Sequence, residues 1–104
     1  MKQKMGFNER CYALLRKVPK GKVTTYKALA NALGTRAYRA VGQAMRTNPD
    51  IPKTPCHRVV SSNGTIGGYA HGIETKMSKL RKEGVSIKDN KIVDFEKRTF
   101  EFRF

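Results

Sequence analysis

At 104 residues the chain has room for one domain with a small core, and not for two. Its 22 Lys and Arg against 8 Asp and Glu leave a formal net charge of +14 and a pI near 10.3, which points to a polyanionic partner, nucleic acid ahead of an acidic membrane or simple solubility. No window approaches the ~18 apolar residues of a membrane span, and no signal-peptide pattern leads the chain, so the sequence reads as soluble, intracellular and cytoplasmic.

Phe7, Cys11, Leu14, Leu15 and Val18 recur at i, i+4, i+7, i+8 and i+11, one face of a first helix that Pro19 and Gly21 end. Asn8 is placed as its N-cap, with Phe7 and Tyr12 as a hydrophobic staple. A second helix runs from Val23 to Gly34, with Thr25 capping its start and Gly34 as a left-handed stop. Thr35 then caps a third helix, from about Arg36 to Arg46, with Ala37, Ala40, Val41, Ala44 and Met45 on its buried face. Arg36, Arg39, Gln43 and Arg46 fall on the opposite side. Two short helices around a glycine turn, the second with an arginine-rich outer face, fit a helix-turn-helix. An arginine stripe is commonly no more than a solvated face, but Ala37, Ala40, Gly42 and Ala44 are small enough to let this helix lie close against another surface.

Asn48-Pro49 ends the third helix, and Pro52 and Pro55 stiffen the approach to Cys56, where continued helix is disfavoured. Val59-Val60, Asn63-Gly64 and Thr65-Ile66 read as a short hairpin with an Asn-Gly turn. Gly67 to Gly72 is a loop. Ile73, Met77 and Leu80 mark a last helix closed by Gly84. The tail alternates around Val85-Ser86-Ile87 and again at Phe100, Phe102 and Phe104, as weak strands or an apolar flap. The expected fold is mostly α with a short β-hairpin, a single winged-helix-like helix-turn-helix domain over residues 1–104.

The chain holds two cysteines, and without a secretory signal they read as free thiols. Cys11 occupies an apolar helical position and reads as a buried small hydrophobe. Cys56 stands in Pro55-Cys56-His57-Arg58, among polar and cationic groups that favour a reactive thiolate. Neighbours in an extended strand point to opposite faces, so Cys56 and His57 would meet through a turn or a bridging water. A carboxylate orienting the imidazole would complete a nucleophile–base–orienter set. Acidic residues are scarce, and Glu83 stands out because it sits in the last turn of a helix, where its charge opposes the dipole. A solvated glutamate beside Arg81 and Lys82 is the plainer alternative. Cys11, Cys56, His57 and His71 lack zinc-ligand spacing, and no oxyanion hole for a Cys–His hydrolase is discernible.

Pro55-Cys56-His57-Arg58-Val59-Val60 matches the Pro-Cys-His-Arg-Val signature of the O6-alkylguanine-DNA alkyltransferases. Arg39 to Pro49 resembles that family's recognition helix and the asparagine turn after it, and Val23-Thr24-Thr25-Tyr26 resembles its tyrosine-bearing segment. Gly67-Gly68-Tyr69 and Glu83-Gly84 follow in the expected order, and the resemblance covers residues 7–84. It implies that Cys56 is the alkyl acceptor, His57 the base acting through a water, Glu83 its orienting carboxylate, and Asn48 a tie between turns around the site. It implies that Tyr26 presses on the target phosphate and the extruded base, that Arg39 fills the gap left in the duplex, and that Arg36, Gln43 and Arg46 face DNA. The carbonyls of Cys56 and Val59, with Tyr69 and the N–H of Ala70, would line the guanine pocket; the family commonly carries Ser where Ala70 stands. The implied partner is double-stranded DNA bearing O6-alkylguanine, met from the minor groove by a monomer, with no metal or organic cofactor.

Family members usually carry an N-terminal domain, and only about six residues precede the first helix, so the expectation is that this domain is absent. Alkyltransferase-like proteins also lack it, carry Trp in place of the acceptor cysteine and bind lesions without repairing them. This chain has Cys56 and no Trp, which favours transfer over a lesion-binding sensor or a plain helix-turn-helix regulator.

Overall fold

The computed structural model describes residues 6–49, 53–67 and 72–102. Helix α1 (Phe7–Leu15) buries Cys11, Tyr12, Leu14 and Leu15. It starts two residues earlier than the sequence suggests: Gly6 rather than Asn8 is the N-cap and makes no side-chain cap, and Asn8 lies inside the first turn. Val18 is fully buried although it lies beyond the helix, because the chain turns there to pack back on the core.

Val23 to Thr25 are extended rather than helical. Strand β1 (Thr24–Thr25) leads into α2 (Tyr26–Ala32), and Thr25 is the N-cap, its Oγ1 accepting from the Ala28 N–H at 2.9 Å. Such a cap contributes about 1 kcal/mol. Gly34, at φ +75°, closes α2: its N–H donates to Asn31 and the Thr35 N–H to Ala30, the paired bonds of a Schellman turn. Helix α3 (Tyr38–Arg46) begins later than expected. The Thr35 hydroxyl accepts from the Ala37 N–H and so stabilises the turn before the helix, not its first turn. Val41, Ala44 and Met45 form its buried face, Ala40 is half-buried and Ala37 is exposed. A buried hydrogen bond of 2.7 Å from the Tyr12 hydroxyl to the Ala44 carbonyl locks α1 onto α3.

The expected hairpin through Asn63-Gly64 does not form. Strand β2 (Val59–Val60) pairs instead in parallel with β1, Thr24 beside Val59 and Thr25 beside Val60. Side chains alternate across this short ladder: Val59 joins a core with α1, α2, α3 and Cys56, while Val60 joins a second core with Val23, Ile66, Leu80, Val85 and Ile92. The hairpin lies in the tail, as β3 (Ile87–Lys88) and β4 (Lys91–Ile92) around Asp89 and Asn90, both at positive φ. Two-residue hairpin loops favour such residues because they tolerate the left-handed region. Thr65 bridges to Lys91, which attaches the Ser61–Thr65 turn to this wing. Helix α5 (Phe95–Arg98) follows, Thr99 bridges Val23, and Phe100 and Phe102 pack edge to face at 5.3 Å against the first core. The tail is thus a strap that returns to β1.

Helix α4 (Ile73–Lys82) ends in a second Schellman turn, with Gly84 at φ +88°, its N–H donating to Arg81 and the Val85 N–H to Leu80. Leu80 and Val85 are both buried, the apolar contact that accompanies this motif. The turn fixes Glu83 as the C-cap.

Candidate active site

Cys56 opens a short 3₁₀ turn, Cys56–Arg58, directly after Pro55. Its N–H donates to the Thr54 carbonyl at 2.8 Å, and its own carbonyl accepts from the Val59 N–H. The thiol is 3% exposed and lies against the first core. Asn48 Nδ2 donates to the same Thr54 carbonyl region at 2.8 Å, tying the end of α3 to the segment that leads into Cys56. Arg16 Nε reaches the Thr54 hydroxyl at 3.0 Å, so the buried Thr54 gathers α1, the α3 turn and the cysteine turn.

The turn and the α4 C-cap bring three ionisable groups together. His57 Nε2 lies 3.1 Å from Glu83 Oε1. That approach is short but oblique, and neither ring nitrogen has a well-aligned hydrogen-bond partner among the described residues. Arg58 grips the same carboxylate with two bonds, Nε to Oε1 at 2.9 Å and Nη2 to Oε2 at 2.5 Å. Its remaining Nη1 donates to the Val18 carbonyl at 2.6 Å. The planar guanidinium fork therefore fixes Glu83 and joins it to the end of α1.

Electrostatics follow from this packing. Burial pushes the His57 imidazole below its ordinary pKa; contact with Glu83 opposes this, and burial prevails, so the ring is neutral at pH 7. Burial works to raise the Glu83 carboxyl, but the Arg58 bonds and His57 together outweigh it and hold it below the usual glutamate value. A neutral imidazole against an ionised carboxylate is poised to accept a proton, because the imidazolium then gains a charged neighbour. Tyr26, at the start of α2, is raised by burial and further by Cys56, with Arg46 opposing, so its hydroxyl keeps its proton and stands within electrostatic reach of the thiol.

The geometry can be set beside known proteins. A family model for the DNA-binding domain of 6-O-methylguanine DNA methyltransferase matches residues 6–85. The chain belongs to that family. It is 50% identical over 82 residues to a methylated-DNA–protein-cysteine methyltransferase of Metallosphaera sedula, covering 79% of this chain and 51% of that one. The crystal structure of O6-methylguanine-DNA methyltransferase from Pyrococcus kodakaraensis superposes with a TM-score of 0.71 at 48% identity, covering 78% of this chain and 47% of that one. S. pombe Atl1, in complex with damaged DNA containing O6-carboxymethylguanine, superposes with a TM-score of 0.80 at 29% identity, covering 91% of this chain and 94% of that one. The chain spans about half the length of the curated methyltransferases it matches.

Within this member of the family, the fold brings Cys56, His57, Glu83, Asn48 and Tyr26 together, with the buried Val59 at the end of the turn. Arg36, Arg39, Gln43 and Arg46 are exposed. The last three fall within roughly 60° of one another around α3, given 3.6 residues per turn. Tyr69 and Ala70 lie outside the described residues. Sequence reasoning passed over Lys76. Apolar periodicity assigned the buried face of α4 to Ile73, Met77 and Leu80, yet Ile73 is exposed and Lys76 is fully buried. The inward stripe is Lys76, Leu80 and Glu83, at i, i+4 and i+7. That spacing, with both ends charged, was the available signal.

Proposed function

We propose that the chain repairs DNA by taking the alkyl group of O6-alkylguanine onto Cys56, irreversibly and once per molecule. The observation that carries the reading is the buried thiol on a turn whose next residue is a neutral histidine backed by an ionised, doubly gripped glutamate. The thiol proton passes through a water to His57 Nδ1, the nitrogen that faces away from Glu83. Glu83 stabilises the imidazolium. The thiolate attacks the alkyl carbon, the S–C bond forms as the C–O6 bond breaks, and the bonding pair leaves on guanine, which takes up a proton. Tyr26, held protonated, is the donor nearest the base. The thioether product does not exchange, so turnover ends there.

O6 is sealed inside the duplex, and the nucleotide must be flipped out, at a cost of a few kcal/mol. Arg39 fills the vacancy, and the basic outer face of α3 holds phosphates without reading sequence. The helix enters the minor groove, and the protein acts as a monomer in the cytoplasm. Gly42 supports the groove reading: among the described residues, a Cβ built there meets nothing outside its own helix within 4 Å, so packing among them does not require its small size.

The test is the intact mass of the protein after incubation with a duplex carrying one O6-methylguanine. One added methyl group per molecule, mapped to Cys56 and abolished in Cys56→Ala while lesion binding persists, is the expected result. Tight, lesion-selective binding with no mass gain would replace transfer by lesion sensing.

A further inference from the structure

Lys76 is the largest fully buried side chain in the described structure. Lysine normally snorkels its ammonium to water, and a buried ammonium is strongly disfavoured unless its charge serves a neighbour. Here the charge cannot reach solvent. Helix α4 packs on the 3₁₀ turn that bears Cys56. The Lys76 ammonium lies beneath the turn ending at Gly67, 3.9 Å from where a Cβ on that glycine would stand. From there it is close enough to Cys56 for the two charges to interact.

Resting on the transfer reading, we infer that the Lys76 ammonium stabilises the Cys56 thiolate from inside the protein, as a positioning residue that acts through the sulfur. Lys76 keeps its protons throughout: the thiol proton goes to His57, the S–C bond forms, the C–O6 pair leaves on guanine. Burial pushes Lys76 down to about 8, with Cys56 opposing, so the side chain is still mostly charged at pH 7. Tyr26 from α2 also lies within electrostatic reach of Cys56, with Arg46 of α3 acting on Tyr26 in turn, while His57 on the turn faces Glu83, Arg58 and Lys79. Arg58, by contrast, is held on Glu83 and the Val18 carbonyl.

A cation that raises the thiolate population also tempers its nucleophilicity, and the net gain in rate is roughly half the electrostatic effect on a logarithmic scale. Removing the charge is expected to slow transfer about ten-fold at pH 7. The experiment follows single-turnover transfer from O6-benzylguanine, supplied as the free base so that DNA binding does not enter, across pH 6.5 to 10.5. Lys76→Met is expected to be about ten-fold slow at pH 7 and to converge on wild type at high pH. Lys76→Arg, which keeps the charge, is expected to keep the wild-type profile. A methionine variant slowed equally at every pH would assign Lys76 a structural role and overturn the inference.

A second measurement needs no variant and no turnover. The ¹³Cε resonance of Lys76 is titrated in the wild-type protein before and after Cys56 is capped as a thioether. Capping removes the thiolate and is expected to lower the Lys76 midpoint by half a pH unit or more. An unmoved midpoint would refute the coupling. Failure of wild type to take up benzyl at any pH, with the midpoint still moving, would count against the transfer reading and leave this coupling standing.

Discussion

Gly42 separates what the fold needs from what the surface is for. It occupies the centre of α3, where glycine costs about 1 kcal/mol relative to alanine. Among the described residues nothing outside its own helix lies within 4 Å of a Cβ at this position, so Gly42→Ala is expected to meet no steric penalty and to recover that propensity. The variant is expected to be more stable by about 0.8–1 kcal/mol, which in a domain of this size raises Tm by roughly 4–8 °C. On the DNA side the sign reverses. The methyl group stands on the edge of the arc that carries Arg39, Gln43 and Arg46, and holding the helix off a groove wall by even 0.5–1 Å forfeits a quarter to a half of each dispersion contact made there. A lesion duplex is expected to bind about ten-fold more weakly, equivalent to about 1.4 kcal/mol. Thermal melts give the first quantity. Fluorescence anisotropy with an O6-methylguanine duplex, in a Cys56→Ala background that prevents turnover, gives the second. Transfer from a free alkylated base should be unchanged. An alanine variant that is more stable and binds DNA as well as the parent would show that α3 does not approach the duplex at this residue. A less stable variant would refute the account of its packing.

Arg39→Ala is expected to weaken capture of duplex lesions far more than reaction with a free alkylated base, and equal losses in the two assays would sink its role as the gap filler. Arg58→Lys keeps the charge but cannot reproduce two bonds to Glu83 and one to Val18 together; denaturant melts should show a loss of about 2 kcal/mol, and a neutral result would mean the fork contributes only charge. Acid should destabilise the fold in two windows. With its folded pKa depressed, His57 stays neutral while the unfolded chain takes up a proton, so stability falls as pH drops below the ordinary histidine value of 6.5 and levels off below the folded value. Glu83, also depressed, adds stability that is complete above the ordinary glutamate value of 4.5 and is lost as pH falls through its lower folded value. Chemical melts of wild type against His57→Gln should isolate the upper window, and parallel pH profiles would contradict it.

The helical parts were legible because their signals are local. Thr25 caps α2, Gly34 and Gly84 turn left-handed where a Schellman stop requires it, and the burial of Cys11, Leu14 and Leu15 follows the helical period. The strands were not legible for the opposite reason. Val59-Val60 followed by Asn63-Gly64 carries the local signature of a hairpin, but its partner is Thr24-Thr25, more than thirty residues away, and a two-residue parallel ladder has no sequence signal beyond β-branching. Asp89-Asn90 is the turn that forms the hairpin: the alternation around Val85-Ser86-Ile87 hinted at its first strand, but no glycine marked the turn. In the site, the motif exposed Cys56 and His57, and a violated dipole rule exposed Glu83. Lys76 escaped because periodicity counts only apolar residues, and a lysine on an inward face reads as an interruption of the stripe rather than a member of it.

The two cysteines provide an internal control for what makes the site. Both are buried, Cys11 at 0% and Cys56 at 3%, so exclusion from water does not distinguish them. Cys11 sits among hydrocarbon, and burial pushes its thiol up and away from reactivity. Around Cys56 the chain instead spends four ionisable side chains: His57, Arg58, Glu83 and Lys76. In a core this small, hydrocarbon of the same volume at those positions would generally be as stable or more so. Folding alone does not account for their concentration, and the proposed transfer from a buried sulfur would. The desolvated sulfur needs a base to take its proton, a carboxylate to hold the resulting imidazolium, and a cation to hold the negative charge left behind. Removing Arg58 would leave the Glu83 carboxylate buried without the guanidinium that grips it.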